Sequence, residues 1–314
     1  MRAVERSLLP LTIDVVVVTW NQRDLTLDCL RHLAQSTVPA QVIVVDNASA
    51  DGTLEALAGE FPEALVLPQA ENLGFAPAVN IGVGAGSSDV VVLVNNDVEV
   101  EPDFLEHLVA PLAADPAVGM VAGLTVQPGG ALIDQLGISV DRGLAGYLRG
   151  RHAPVGTVPS DRLLAPCGCA AAYRRTAWEQ VGGFDSAFFA YGEEFDLGLR
   201  IRQAGWGAAE APLARGVHLG GATTGVDSPM QRELSAFARG FIVGRYRGLN
   251  VQAVIVDAAV VVKGLLTSRS FIPLRGRIRG WRAGRRTRRA ALSTELIEPS
   301  IGLAESLRRL RSAR

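Results

Sequence analysis

Residues 89–97 read Asp-Val-Val-Val-Leu-Val-Asn-Asn-Asp, a short apolar run that ends in three polar side chains. Apolar runs of similar length occur earlier in the chain, at residues 13–19, 41–46 and 64–67. Short and nearly continuous apolar runs predict strands that are buried on both faces. The segments between the runs have helical spacing or helix-forming composition, at residues 24–35, 53–59 and 76–86.

This alternation of strands and helices predicts an α/β fold whose mostly parallel central sheet has helices on both faces. In such a sheet, ligands bind beyond the carboxyl ends of the strands. Asp46 and Asp97 stand at two of these ends, so we expect both carboxylates at a binding edge. Asp24 is expected to cap the first helix.

The second half of the chain predicts fewer regular elements. Strands are expected at residues 118–126, 167–173 and 212–218, and helices at residues 102–114, 176–181 and 193–204. Residues 127–162 are rich in Gly, Pro and Arg and predict an irregular excursion over the active face. From Pro229 onward the chain reads as helices, so we divide it into an α/β domain at 1–228 and a helical, Arg-rich extension at 229–314.

Charge is distributed unevenly along the 314 residues, although the net charge is only −1. Residues 241–314 contain 16 Lys and Arg against 4 Asp and Glu, a net charge of +12, so residues 1–240 carry −13. This asymmetry predicts a partner for the basic tail.

The three cysteines, Cys29, Cys167 and Cys169, cannot form a paired disulfide framework and favour a reducing, cytoplasmic compartment. No segment has the pattern of a signal peptide. The apolar stretch 251–266 is too short for a transmembrane helix, and it contains the polar and charged residues Gln252, Asp257 and Lys263.

Several segments resemble, in their order along residues 13–224, the family-two inverting glycosyltransferases of the GT-A fold, especially their rhamnosyltransferase-like members. The matching segments are Val17-Val-Thr-Trp-Asn21, Val44-Val-Asp-Asn-Ala-Ser49 with Asp51-Gly52, Glu71-Asn-Leu-Gly-Phe-Ala76 with Asn80, Asn95-Asn-Asp-Val98, Gly182-Gly-Phe-Asp185 and Tyr191-Gly-Glu-Glu-Phe-Asp-Leu197 with Arg200. The resemblance implies transfer of a sugar from a nucleotide-diphosphate donor to an acceptor hydroxyl.

The resemblance implies a donor site at the strand ends. Asp46 would accept hydrogen bonds from the base or ribose of the donor, because an ionised carboxylate only accepts. Alternatively, Asp46 caps the turn that follows it. The donor pocket implied by the resemblance also contains the following residues: Thr19, Asn21, Asn72, Asn80 and Asn96.

The resemblance further implies a bound Mg²⁺ or Mn²⁺, held by Asp97 and His218. Hard oxygen ligands suit both ions. The family pattern is often Asp-x-Asp, and here Asn95 occupies the first position, as it does in rhamnosyltransferase-like relatives. Alternatively, Asp97 is a turn residue and His218 a packed histidine.

The resemblance also implies the acid–base chemistry. In the family the second acidic residue of the pair is the general base, so the resemblance implies that Glu194 of the pair Glu193-Glu194 takes a proton from the acceptor hydroxyl. Gly168, Glu193 and Asp196 are expected at the acceptor, and Asp196 is also expected to pair with Arg200 four residues later. Alternatively, these acids only complement the start of a helix.

The resemblance favours dTDP-rhamnose as the donor, then a UDP-sugar, and a glycan or lipid-linked glycan as the acceptor in cell-envelope polysaccharide synthesis. An apolar stretch beside an Arg-rich stretch favours docking on the inner face of the plasma membrane over binding nucleic acid. A helical cap or a contact between copies of the chain would also explain the tail. A nucleotidyltransferase and a catalytically silent scaffold are the alternative functions.

Overall fold

The computed structural model describes residues 11–220, 228–287 and 289–312, so residues 221–224 of the resembling segment and Arg288 lie outside it. The strands are β1 (Ile13–Thr19), β2 (Gln41–Asp46), β3 (Leu65–Pro68), β4 (Val90–Val94), β5 (Val98–Val100), β6 (Val118–Val126), β7 (Ile133–Gln135), β8 (Ile138–Val140), β9 (Gly146–Leu148), β10 (Ala170–Arg174) and β11 (Gly207–His218). The helices are α1 (Arg23–Leu33), α2 (Thr53–Glu60), α3 (Phe75–Ala85), α4 (Phe104–Ala114), α5 (Arg175–Val181), α6 (Glu193–Gln203), α7 (Pro229–Arg245), α8 (Val251–Ser268), α9 (Ile272–Arg286) and α10 (Leu303–Ser312).

The central sheet has the strand order β3-β2-β1-β4-β10-β6-β11-β5, with β7 paired to β6. Strands β3, β2, β1 and β4 are parallel, as predicted. Strand β10 runs antiparallel between β4 and β6, and β5 and β7 are also antiparallel to their neighbours. The sheet is therefore mixed, and its parallel pairs lie mainly in the N-terminal half.

Two hydrophobic clusters cover the two faces of the sheet. On one face, α1 and α4 pack against alternate residues of β1 and β4, such as Val15 and Val92. On the other face, α3, α5 and α6 pack against the remaining residues, such as Val16 and Val91. Because successive side chains of a strand point to opposite faces, each strand needs an apolar residue at nearly every position.

The structure corrects three predictions of local structure. Asp24 does not cap α1, because Gln22 is the capping residue and Asp24 lies in the first turn beside Arg23. Residues 127–162 are not wholly irregular, since β7, β8 and β9 lie within them. The last strand of the sheet begins at Gly207, five residues before the predicted start.

The helical tail packs on the rest of the chain. Phe241 of α7 contacts Phe188 with ring centroids 4.8 Å apart. The hydroxyl of Tyr246 donates to Asp196 of α6 at 2.8 Å. Farther along, the hydroxyl of Ser306 donates to the buried Asp141 at 2.7 Å. The division at residues 228 and 229 stays a prediction, and these contacts join the two parts.

Candidate active site

Asp97 and His218 are brought together by the pairing of two short strand ends. Asp97 directly precedes β5, and His218 is the last residue of β11, where it pairs with Val98. The Nε2 atom of His218 lies 3.4 Å from Oδ1 of Asp97, whose side chain is almost completely buried. Two residues that are 121 positions apart in the chain therefore share one site.

The two side chains fit a hard divalent cation. Two neighbouring ligands that each lie about 2.1 Å from an octahedral Mg²⁺ are about 3 Å apart, close to the separation of these two atoms. No group of three or more His, Cys, Asp or Glu side chains within the described ranges has the arrangement of a metal site. Substrate phosphates and water commonly complete the coordination of Mg²⁺ in proteins.

A second carboxylate holds the other side of the His218 ring. Nδ1 of His218 is 2.8 Å from Oδ2 of Asp134, which also accepts from the hydroxyl of Thr125 at 3.3 Å. Burial opposes the charged ring, but the hydrogen bonds and charges of Asp134 and Asp97 raise the pKa of His218 to about 10. A cation that binds at Nε2 would therefore have to displace the proton from that nitrogen. A carboxylate that fixes the far nitrogen of a ligating histidine is a common support of metal sites.

Sequence reasoning missed Asp134. The residue lies in the middle of β7, inside the stretch that was predicted to be irregular. Its role depends on a contact 84 residues away in the chain. The local signal was an acidic residue between Ile133 and Gln135, which are both buried in the structure. Such alternation is common in strands that have one exposed face, so it does not single out a functional residue.

Glu193 and Glu194 open α6, directly after two residues in the left-handed region, Tyr191 with φ 69° and Gly192 with φ 87°. Glu193 is buried, and burial and the charge of Glu194 raise its pKa well above the usual range. Burial also raises the pKa of the half-buried Glu194, although a hydrogen bond from Glu193 acts to lower it. Two adjacent carboxylates do not ionise together easily. We therefore infer that Glu193 is the protonated member of the pair and that its hydroxyl is the hydrogen-bond donor to the carboxylate of Glu194.

Glu194 lies at the same edge of the sheet as Asp97. Strand β10 is antiparallel to β4, and Ala170 at its start pairs with Val94 at the end of β4. Residues 167–169 therefore lie beyond the carboxyl end of β4, where the backbone N–H of Asn95 donates to Cys169 at 3.4 Å. Glu194 contacts this segment, because Sγ of Cys167 lies 3.9 Å from its Oε1.

Gly168, in the middle of this segment, has no side chain to occupy the space around it. A Cβ added at Gly168 would meet only the ring of Phe75, at 3.5 Å. The position is thus not sterically closed to a side chain, and a glycine there leaves additional space beside Glu194. The predicted acceptor contact of Gly168 stays a prediction.

Asp46 combines a satisfied and an unsatisfied oxygen. Its side chain is fully buried at the end of β2, and Oδ2 accepts from the backbone N–H of Ser49 at 3.0 Å. Oδ1 is buried without a hydrogen-bond partner in the described structure. Both earlier interpretations thus have a physical basis, since one oxygen caps the turn and the other can accept from a ligand.

The remaining predicted donor residues use their side chains inside the protein. Thr19 is buried and bonds to Thr26 at 2.7 Å, and the amide of Asn96 donates to Thr26 at 3.2 Å. Asn21 accepts from the backbone of Ala50 at 2.8 Å. These contacts shape the walls around Asp46.

Asn72 and Asn80 have similar local duties. Oδ1 of Asn72 accepts from the backbone of Gly74 at 2.9 Å. Asn80 both donates to and accepts from the backbone of Phe184, at 2.8 and 2.9 Å, and so joins α3 to the loop before α6. These two side chains therefore position backbone around the cleft.

Asp196 is enclosed by partners, and its predicted pairing with Arg200 is present at 2.7 Å. Its other oxygen accepts from Tyr246 at 2.8 Å and from Arg245 at 3.1 Å. Its side chain is fully buried. With both oxygens occupied, Asp196 is a positioning residue of α6 in this structure, and an acceptor would need to displace one of these bonds to reach it.

Known glycosyltransferases are similar to this chain in sequence and in fold. The sequence profile described as "Glycosyl transferase family 2" matches residues 14–182. The chain is 31% identical over 243 residues to the N-acetylglucosaminyl-diphospho-decaprenol L-rhamnosyltransferase of Mycobacterium tuberculosis, a match that covers 68% of this chain and 78% of that protein. It is 31% identical over 195 residues to the pre-mycofactocin glycosyltransferase of the same organism, over 60% of this chain and 39% of that protein.

Solved structures show the same fold at low sequence identity. GalNAc-T7 with UDP, GalNAc and Mn²⁺ superposes with a TM-score of 0.62 at 15% identity, over 87% of this chain and 55% of that chain. TarS 1–349 of S. aureus superposes with a TM-score of 0.54 at 15% identity, over 86% of this chain and 78% of that chain. The predicted GT-A fold is confirmed.

Proposed function

Because the chain belongs to glycosyl transferase family 2, we propose that it moves a hexose from a nucleotide-diphosphate donor to a hydroxyl of a glycan acceptor, with inversion at the anomeric carbon. One observation supports the proposal above the others: Asp97, His218 and Glu194 lie at one edge of the sheet although 121 residues separate the first two. Oδ1 of Asp46, at the end of β2, is buried without a hydrogen-bond partner in the described structure, so it can accept from a donor group of a ligand.

Asp97 and His218 would hold a Mg²⁺ or Mn²⁺. Such an ion, when bound, neutralises the charge that develops on the departing nucleoside diphosphate. Asp134 keeps the His218 ring in place through Nδ1, so that Nε2 faces Asp97. Asp46 offers its free oxygen to a hydrogen-bond donor of the nucleoside.

Glu194 acts as the general base. Its carboxylate takes the proton of the acceptor hydroxyl, whose oxygen attacks the anomeric carbon while the bond from that carbon to the diphosphate breaks. The single displacement accounts for inversion. Glu194 stands at the start of α6, and its Oε1 lies 3.9 Å from Sγ of Cys167, so the fold places the base before the acceptor arrives.

The donor and acceptor are proposed by analogy with the mycobacterial rhamnosyltransferase, whose name specifies L-rhamnose and a decaprenol-linked N-acetylglucosaminyl acceptor. We propose dTDP-rhamnose as the donor, with UDP-sugars next, and a lipid-linked glycan of the cell envelope as the acceptor. The enzyme would then work at the inner face of the plasma membrane. No helix in the described parts of the chain is long and apolar enough to cross a membrane.

Calorimetry with a nucleotide panel tests the donor site. The wild-type protein is titrated with dTDP, UDP, dTDP-rhamnose and UDP-glucose, with and without Mn²⁺, beside Asp97→Asn and the control Asp115→Asn, which lies after α4. We expect Mn²⁺ to strengthen binding of at least one nucleotide in the wild type and the control, and to have no effect in Asp97→Asn. Binding that ignores Mn²⁺ in all three proteins would contradict the assignment.

A further inference from the structure

Exposed apolar side chains are concentrated on the hairpin of α8 and α9. Of the fifteen large hydrophobic residues that are exposed in the described structure, nine lie between residues 249 and 278. Leu266 is 80% exposed and Phe271 is 61% exposed, and the two flank the turn between the helices. Scattered exposed hydrophobic residues are ordinary, but a cluster of this kind marks an interaction surface.

The exposed residues of α8 form a stripe along one side of the helix. Val251, Val254, Ile255, Val262 and Leu266 recur at helical spacing, so they face the same direction. On α9, Leu274 and Ile278 continue the series from Phe271 at intervals of three and four residues. We call these residues, with Leu266 and Phe271 at the turn, the hairpin face.

The opposite sides of the hairpin are already covered. The glycines of α9 lie directly against α7, where a Cβ on Gly280 would overlap the carbonyl oxygen of Phe237. On α8, Gln252 donates to Ser306 of α10 at 3.0 Å. Because α7 and α10 occupy those sides, the hairpin face has no room to turn inward and stays exposed to whatever surrounds the protein.

The hairpin is strongly basic. Residues 251–289 contain one lysine and nine arginines against the single acid Asp257, a net charge of +9. Asp257 is already paired with Arg239 and Arg277, each at 3.0 Å. Exposed arginines border the hairpin face, among them Arg269 at the turn and Arg275 one turn into α9. An apolar strip bordered by cations complements a surface that is apolar beneath and anionic above.

We propose that the hairpin face docks on an anionic lipid bilayer, with Leu266 and Phe271 entering the interface and the neighbouring arginines contacting lipid phosphates. This proposal deepens the proposed function by naming the surface on which a lipid-linked acceptor is met, and it rests on that function for its biological purpose. The apolar strip is short, so the contact is peripheral, and each arginine near an anionic surface adds to it.

Vesicle flotation with the full chain tests the proposal. Vesicles of phosphatidylcholine with 30% phosphatidylglycerol are compared with vesicles of phosphatidylcholine alone. The double variant Leu266→Ser with Phe271→Ser is compared with the wild type and with the control Val158→Ser with Leu213→Ser. The control residues are 82% and 66% exposed but lie outside the tail, so it removes similar apolar surface elsewhere.

We expect the wild type and the control to float with the anionic vesicles, and the hairpin variant to lose about tenfold or more of its binding. Arg275→Glu should lower binding as well, and 0.5 M NaCl should weaken it in every protein. Equal flotation of the hairpin variant and the wild type overturns the proposal. So does wild-type protein that stays unbound but forms dimers that the variant does not form, since the face would then be a contact between copies.

Thermal unfolding shows whether each variant is folded, and nucleotide binding with Mn²⁺ separates this proposal from the proposed function. Asp97→Asn should float like the wild type, because the hairpin does not contact Asp97. The hairpin variant should bind nucleotide like the wild type. If the wild-type protein floats but binds no nucleotide, the docking proposal stands and the proposed function is contradicted.

Discussion

His218 lies between two carboxylates, Asp97 at Nε2 and Asp134 at Nδ1. With a single carboxylate partner, the imidazole ring could still rotate about its Cβ–Cγ bond. Hydrogen bonds at both nitrogens remove that freedom, and the ring then presents Nε2 toward Asp97. Asp134 therefore holds the His218 ring on the side that faces away from Asp97.

Asp134→Asn should weaken Mn²⁺ binding about 10- to 100-fold, as loss of such a supporting carboxylate commonly does. The amide keeps the shape of the side chain but loses its charge. Electron paramagnetic resonance of free Mn²⁺ in the presence of dTDP measures the affinity without any turnover. Asp103→Asn is the matched control, because Asp103 pairs with His107 at 3.2 Å on the surface of α4. Equal affinity in the two variants would leave Asp134 with a structural role only.

The two glutamates at the start of α6 are chemically alike but are placed differently. Glu193 is buried, and Glu194 is half-buried against Cys167 and Gly168. Burial raises the pKa of both, and the charge of Glu194 adds to the shift at Glu193. A base must be ionised to work, so a raised pKa of Glu194 means that turnover falls on acidification at a higher pH than the ordinary glutamate value would give.

At the scale of elements, α7 and α9 pack closely against each other at positions occupied by glycines. A Cβ at Gly240, Gly276, Gly280 or Gly284 would approach the backbone or a side chain of the opposite helix. Glycines at every fourth position allow two helix backbones to approach closely, a device best known from helix pairs in membranes. This close contact sets the position of α9 and hence of the hairpin face.

Gly280→Ala should lower the free energy of unfolding by about 1–3 kcal/mol or more, because the added methyl group overlaps the backbone of Phe237 and Phe241. Gly59→Ala is the control in α2, since a Cβ there meets nothing within 4 Å. That control should raise stability slightly, by up to about 1 kcal/mol. Urea unfolding of both variants measures the difference. Equal stability would mean that α7 and α9 are not in close contact.

The sequence predicted the apolar strands well and the polar connections poorly. β1, β2 and β6 begin and end where their apolar runs do, because burial on both faces leaves a clear pattern. β7 and β8 are three residues long, and their pairing depends on partners that no local pattern reveals. The antiparallel direction of β10 was likewise hidden, since a buried strand reads the same in either direction.

For the site, the sequence pattern predicted which residues stand at strand ends, but it did not predict which atoms each side chain contacts. Thr19 is at the end of β1, where a side chain that contacts the sugar donor is expected. Its hydroxyl nevertheless bonds to Thr26 inside the protein. Asp196 pairs with Arg200 as local spacing predicts, while its bonds to Arg245 and Tyr246 come from the tail. Contacts of this length along the chain are set by the whole fold and leave no local signal.

At the scale of the whole molecule, the tail and the residues before it share a core. Arg245 at the end of α7 contacts both Asp185 at 2.7 Å and Asp196 at 3.1 Å, and it is almost completely buried. Asp196 belongs to the same helix as Glu194, two residues farther on. The position of Glu194 is therefore coupled to the packing of the tail.

Arg245→Met should lower the free energy of unfolding by about 3–5 kcal/mol, because Asp196 and Asp185 lose a buried partner. Arg279→Met is the matched control, since its pair with Glu233 is exposed and should be worth less than about 1 kcal/mol. Differential scanning calorimetry of both variants gives the comparison. If the two variants unfold at the same temperature, the tail does not stabilise the catalytic part through Arg245.

The most direct test of the account is turnover by two variants that differ only in which glutamate is changed. Wild-type protein, Glu193→Gln and Glu194→Gln are given dTDP-rhamnose, Mn²⁺ and a lipid-linked N-acetylglucosaminyl acceptor, and release of dTDP is measured. Glutamine resembles a protonated glutamate, so Glu193→Gln should keep most of the activity, whereas Glu194→Gln should lose about 10²–10⁴-fold with nucleotide binding intact. Equal activities of the two variants, or a Glu194→Gln protein as fast as the wild type, would contradict the assignment of Glu194 as the base.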